Sequence, residues 1–204
     1  MKKLLLLIAA IIAVMALTAC GSDDEDTIRG FTRGTWSGTT FTSEQMGVTF
    51  TAPANWMIAT DAEMAEIMGL GIDMMRDELT PAILESAGLT TVQDMMATNP
   101  ETGAMVQIMA ERLVFPNNRI STQEYVDVVE EMLVGMGMEV NRGFANRRLG
   151  NYTWYVYESV LEIMPGIYIY GHYFVDVRDG FALTIQVVYS SFSESLEEIL
   201  TMFR

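Results

Sequence analysis

The stretch IYIYGHYFVDVRDGFALTIQVVYS, residues 167–190, decides the fold. Ile167 to Val177 and Phe181 to Ser190 are strand-length runs rich in β-branched and aromatic residues, and Asp179-Gly180 between them has the residues of a two-residue hairpin turn. Side chains alternate between the two faces of a strand. Phe181, Leu183, Ile185, Val187 and Tyr189 therefore form one apolar stripe. In the strand before them, Tyr168, Tyr170, His172 and Phe174 share one face while Ile167, Ile169, Tyr173 and Val175 share the other. Both faces of this strand need cover, which places it inside a sheet with a layer packed on each side.

Working toward the N-terminus, Met138 to Leu149 and Tyr152 to Met164 read as two more strands, separated by Gly150-Asn151 and closed by Pro165-Gly166. Connections this short force antiparallel neighbours, so the C-terminal third is a four-stranded meander. It ends in a helix from about Ser193 that presents Leu196, Ile199, Leu200 and Phe203 to the sheet. Ser121-Thr-Gln-Glu124 has the capping-box spacing, and Tyr125, Val128, Val129, Met132 and Leu133 follow at helical spacing. Thr91 to Ala97 and Ala104 to Val114 read as a hairpin across Asn99-Pro-Glu-Thr-Gly103, although the first run is also compatible with a helical turn. From Thr35 to Ile58 the pattern is strand, turn, strand, turn and a short third strand, with Val48, Phe50 and Ala52 on one face. A second capping box at Thr60-Asp-Ala-Glu63 starts a helix with Met64, Ile67 and Met68 inward. Short helices are also expected from Ile72 to about Leu79, and from Pro81 to near Gly88.

The chain has 204 residues and one cysteine. Met1-Lys-Lys3 followed by the apolar run Leu4 to Ala19 is too short for a spanning helix and has the form of a secretory signal. Leu17-Thr-Ala-Cys20 looks like a bacterial lipobox. That resemblance implies a diacylglyceryl group on Cys20, cleavage before it, and a membrane partner reached through the lipid on the extracytoplasmic side. Both lysines, Lys2 and Lys3, fall in the signal, so the remainder carries 10 Arg against 27 Asp and Glu, a net −17 with His neutral. Such a balance argues against nucleic acid and against electrostatic adhesion to anionic lipid. Residues 1–19 are thus expected as the signal, 20–34 as an acidic tether and 35–204 as one globular domain, held without an internal disulfide.

No reactive constellation stands out. His172 is the only histidine, and HExxH, GxSxG and Cys-based clusters, P-loops and GxGxxG are absent, so neither catalytic nor metal or cofactor residues are assigned. Glu158 and Glu162 share a strand face about 13 Å apart, too far for a catalytic dyad. Met132, Met136 and Met138 form the densest part of a methionine-rich chain. Thioethers suit copper(I), but methionines at helical spacing also suit core packing. Arg142, Arg147 and Arg148 gather into one basic patch suited to salt bridging or to capture of an anion or partner. Tyr168, Tyr170, His172 and Phe174, with these three arginines, make the candidate partner surface.

The run Phe41-Thr-Ser-Glu-Gln-Met-Gly47-Val-Thr-Phe50-Thr-Ala-Pro53-Ala-Asn-Trp56 is similar to the opening of many small bacterial lipoproteins. With the order of elements after it, the chain from Thr35 to Arg204 resembles the PsbP-like superfamily. The resemblance implies an α+β fold: an antiparallel sheet flanked by helices on both faces, an α/β/α sandwich, serving as a binding or accessory module. The expected function is therefore a membrane-anchored extracytoplasmic lipoprotein that binds an unidentified protein or small ligand without catalysis. A carboxylate-based hydrolase and a Met-rich metal-handling protein are the alternatives.

Overall fold

A computed structural model describes residues 30–67, 91–113 and 120–204. The lipobox, most of the tether and the helices expected over 72–79 and 81–88 lie outside the described residues. Within them the strands are β1 (Thr35–Ser37), β2 (Thr40–Ser43), β3 (Val48–Thr51), β4 (Met57–Ile58), β5 (Thr91–Thr98), β6 (Met105–Arg112), β7 (Glu139–Asn141), β8 (Arg147–Leu149), β9 (Tyr152–Met164), β10 (Ile167–Arg178) and β11 (Phe181–Ser190). Helix α1 covers 61–67, α2 covers Thr122–Gly135 and α3 covers Leu196–Leu200.

Every pairing is antiparallel. The main sheet runs β4-β5-β6-β11-β10-β9, and β7 and β8 share the outer edge of β9. The expected strand from Met138 to Leu149 is interrupted at 142–146, where five residues face only Tyr155 to Tyr157 of β9, so the surplus bulges outward. The strand expected from Thr35 is likewise folded in two by Gly38, whose φ of +62° makes a hairpin turn of β1 and β2.

The expected α/β/α sandwich is corrected. One face of the main sheet is covered by helices, α2 with Tyr125, Val126, Val129 and Leu133 and α1 with Met64, packed on Met96, Met105, Met109, Tyr157, Tyr173 and Val175. The other face is covered mainly by a second sheet, β1-β2-β3. Phe41, Val48 and Phe50 point from it into a core with Ile108, Trp154, Phe174, Leu183 and Ile185. The physical reason lies in Thr40, Thr42, Thr49 and Thr51, which keep the far side of these short strands wet. A one-sided hairpin lies on a sheet as a layer, whereas a place in the row would bury its threonines. The chain end completes this layer: Arg204 and Thr49 exchange backbone hydrogen bonds at 2.9 and 3.0 Å, and Phe203 packs on Phe50 with ring centroids 5.0 Å apart.

Two details of α2 follow from its neighbours. Ser121 and Glu124 form the expected capping box, but Val126 turns inward while Val128 is exposed. Tyr125 fixes this rotation by donating its hydroxyl to Glu111 on β6 at 2.7 Å. Met95 and Met96 fill opposite faces of β5, the gap-filling role for which an unbranched thioether is suited.

The two sheets meet turn against turn. Gly150, at φ +61°, lies so close to Gly47 that a Cβ there would stand 2.1 Å from the Gly47 carbonyl oxygen, and Asn151 N–H donates to that same oxygen at 2.8 Å. Gly166 has a similar φ of +78° but open space around it. Gly150→Ala is therefore expected to cost about 3 kcal/mol, strain plus backbone collision, and Gly166→Ala only about 1 kcal/mol. Urea denaturation of the two variants checks this, and equal losses would contradict the contact between turns.

Candidate functional site

The sheet register assembles a site that residue spacing alone does not show. A two-residue turn at Pro165-Gly166 pairs Ile167 with Met164, and if this register continued His172 would face Ser159. A bulge at Ile163 shifts the pairing by one, so Tyr168 faces Glu162 and His172 faces Glu158. His172 Nε2 stands 3.4 Å from Glu158 Oε2, with the imidazole almost fully buried. The oriented carboxylate that a functional histidine calls for is thus present, one strand away.

Around this pair the rings form a chain. Tyr168 lies 6.3 Å from Tyr170 between centroids, Tyr170 stacks on Tyr189 at 5.3 Å, and Tyr189 contacts His172 at 5.7 Å. Phe144, from the 142–146 bulge, closes the chain edge-on to His172 at 5.1 Å. Phe144 is exposed, and Tyr168, Tyr170 and Tyr189 are half-buried. The small sheet does not extend over these rings, whereas Phe174, further along β10, is fully buried in the core beneath it.

The expected surface is therefore split. Tyr168, Tyr170 and His172 come together, joined by Tyr189 and Phe144, which sequence reasoning missed as site residues. Phe174 becomes core. The basic patch disperses: Arg142 reaches the α2 side to pair with Asp127 and Glu130, and Arg148 donates through Nε to Gly150 O at 3.4 Å. Arg147 makes two bonds, 2.7 and 2.6 Å, to Glu197 on α3. Of the methionines at the end of α2, Met138 is buried and Met132 and Met136 pack against the same core. No group of three His, Cys, Asp or Glu side chains suited to a metal occurs among the described residues.

Electrostatics separates His172 from its surroundings. Burial lowers its pKa to about 4, helped by the Arg147 charge and opposed by Glu197. Burial also raises Glu158. At neutral pH the pair is a neutral imidazole beside a carboxylate. Since a carboxylate only accepts, Nε2 carries the proton toward it, and Nδ1 is left as an acceptor. Among the described residues buried Nδ1 meets no donor. Nearby phenols feel the acids too: burial raises Tyr189 to about 12, with Glu158 and Glu197 adding to it, and Glu162 leads the causes that raise Tyr168.

A second feature is a cleft of about 740 Å³ bordered by Arg33, Trp36, Thr60, Asp61, Met64 and Asp94. Asp94 occupies the bulge of β5 between Gln93 and Met95, which turns its buried carboxylate toward the N-terminal segment. Both its oxygens accept from Gly34 N–H, at 2.9 and 3.1 Å, and Arg33 bridges Asp61 at 2.7 Å and Asp94 at 3.7 Å. Burial raises Asp94 to about 6 against these contacts. With both oxygens committed to the backbone, the carboxylate acts as a clamp on residues 33 and 34, next to Phe31, which is buried against Phe181.

The two shifted groups pull stability in opposite directions. His172 resists a proton that the unfolded chain accepts, so stability falls as pH drops from about 6.5 to about 4. Asp94 keeps a proton that the unfolded chain releases, so stability falls as pH rises from 3.8 to about 6. Each amounts to about 3 kcal/mol across its window. Relative to wild type, His172→Gln should gain stability on acidification and Asp94→Asn on alkalinisation, read from denaturation midpoints between pH 4 and 7. Parallel profiles for all three proteins would contradict both assignments.

No family model and no curated protein sequence matches the chain. It is similar to a solved structure from Bacteroides thetaiotaomicron at 10% identity, with a TM-score of 0.40, over 82% of this chain and 48% of that one. The chain thus spans about half the length of that protein.

Proposed function

We propose that the chain is a lipid-anchored extracytoplasmic module that holds a ligand on the ring strip from Tyr168 to Phe144 and does so without catalysis. The carrying observation is the strip itself: five rings in unbroken contact on the part of the sheet face that the small sheet leaves uncovered. Rings in fixed rotamers present a large contact area at low entropic cost, which suits recognition. Anchoring rests on Leu17-Thr-Ala-Cys20. Among the described residues no helix is long and apolar enough to cross a membrane. The hydrolase alternative has Asp94 in its favour, a raised carboxyl beside a cleft, yet that carboxyl is occupied by Gly34 N–H.

Two measurements test the reading. Cys20→Ser is expected to move the protein from the membrane to the soluble fraction, and unchanged membrane attachment would overturn the anchor. Native mass spectrometry of protein taken from its own envelopes should show a bound mass that the Tyr170→Ala/Tyr189→Ala variant lacks; equal spectra would overturn the surface.

A further inference from the structure

We propose that the ring strip binds a linear aliphatic polyamine, its ammonium groups held by Glu158, Glu139 and Glu162 and its methylenes by the tyrosine rings. This rests on the strip being the binding surface and adds the chemistry of its ligand.

The register supplies the first argument. On the face that carries Tyr168, Tyr170 and His172, the opposed residues of β9 are Glu162, Val160 and Glu158. Glu139 of β7 lies directly across from Val160. Three carboxylates therefore line one flank of the rings at intervals of two residues, about 7 Å along the strand direction, and Glu162, which accepts from Gly166 N–H through Oε1 at 2.8 Å, keeps its other oxygen for a ligand. That interval is close to the spacing of ammonium groups separated by four methylenes in an extended amine, and flexible glutamate side chains can close on the shorter three-methylene spacing. Between the acids, Val160, Tyr170 and Tyr189 give an apolar floor, and Tyr170 and Tyr189 stack at 5.3 Å with both residues only half-buried, so that part of each is accessible to a cation or a methylene chain.

His172 supplies the second. It is a polar side chain only 3% exposed, set between the rings of Tyr189 and Phe144, and its Nδ1 lacks a donor among the described residues. A buried acceptor without a partner costs stability, and a ligand ammonium that moves the Phe144 ring aside is a donor of the right kind. The neutral imidazole does not repel it.

Charge complementarity chooses among occupants. Among the described residues the guanidinium that acts on His172 is that of Arg147, and its paired bonds to Glu197 offset part of its charge. Carboxylates act on the phenols of the strip: Glu162 leads in raising Tyr168, and Glu158 adds to the burial that raises Tyr189. An anion is repelled there, and a neutral sugar leaves the acids without counter-charge.

Calorimetry with spermidine on the purified protein tests the inference, with a neutral oligosaccharide of glucose as the second titrant. Saturable spermidine binding is expected, weakened by added salt and weakened about tenfold or more by Glu158→Gln/Glu162→Gln. These amides keep the shape of the acids, and an unchanged melting temperature confirms an intact fold. Spermidine binding that both variant and wild type share equally, or no saturable binding, overturns the polyamine assignment. Sugar binding in its place, or a bound mass in native spectra with no response to spermidine, overturns the ligand class while the surface stands. No bound mass and no response to either titrant overturns both.

Discussion

One surplus residue in β9 sets the character of the site. Because Ile163 bulges out of the β9–β10 ladder, every pair beyond it from the turn, Glu162 back to Tyr155 on β9, is shifted by one, and a one-residue shift exchanges the faces of a strand. Without it, Ser159 would face His172, and the valines at 156 and 160 would turn toward the α2 side. With it, Val156 joins Phe174 in the core beneath the small sheet, Tyr157 stacks on Tyr173 at 4.6 Å beneath α2, and Glu158 and Glu162 line the open end of the other face. Core packing and site chemistry are fixed by the same shift. This couples them: a variant that removed the bulge would lose the aromatic stack and the carboxylate flank together.

The layering decides where the site is open. Covering the second face of the main sheet with a helix as long as α2, 14 residues, would span about 20 Å. The small sheet offers strands of three and four residues, and α3 adds five more residues. This cover extends over Phe174, Leu183 and Ile185 but not over Tyr168 and Tyr170. An incomplete layer leaves aromatic residues at the open end of two otherwise buried strands, and only the half-polar tyrosine can occupy such positions without exposing a wholly apolar side chain.

Much of this was legible in the sequence, where the physics is local. Asp179-Gly180 fixes the β10–β11 hairpin, and Asp179 takes the left-handed φ of +53° that this turn demands. The Ser121 and Thr60 boxes start α2 and α1 as their spacing requires. The two-faced burial of β10 follows from its composition alone. What stayed hidden depends on distant partners. Nothing in residues 35–51 states whether a short hairpin joins a row or lies across it, although the unbroken threonine face was a usable signal for the layer. The Glu158–His172 pair was one register step from legibility, since ideal hairpin counting from Pro165-Gly166 lands on Ser159. Phe144 was hidden for a related reason: a run read as one strand carries two surplus residues, and only the edge of β9 makes them visible.

The absence of lysine beyond Lys3 gives the acidic surface its persistence. A lysine is a point charge on a flexible stem that can move across a neighbouring carboxylate patch and screen it. Arginine holds its partners through a planar fork and stays where its bonds place it. Here the forks are spent on structure. Arg142 ties the β7 edge to α2, Arg147 ties β8 to α3, and Arg178 bridges Asp176 at 3.1 Å while lying 3.6 Å over the Tyr152 ring. Each fixes one element against another, and Arg147, whose charge reaches His172 beside Glu158, is held by Glu197. A chain with the same net charge but mobile lysines would have an averaged, self-screened surface. In this one Arg142, Arg147 and Arg178 are fastened to the scaffold, and the carboxylates of β7 and β9 remain beside the rings.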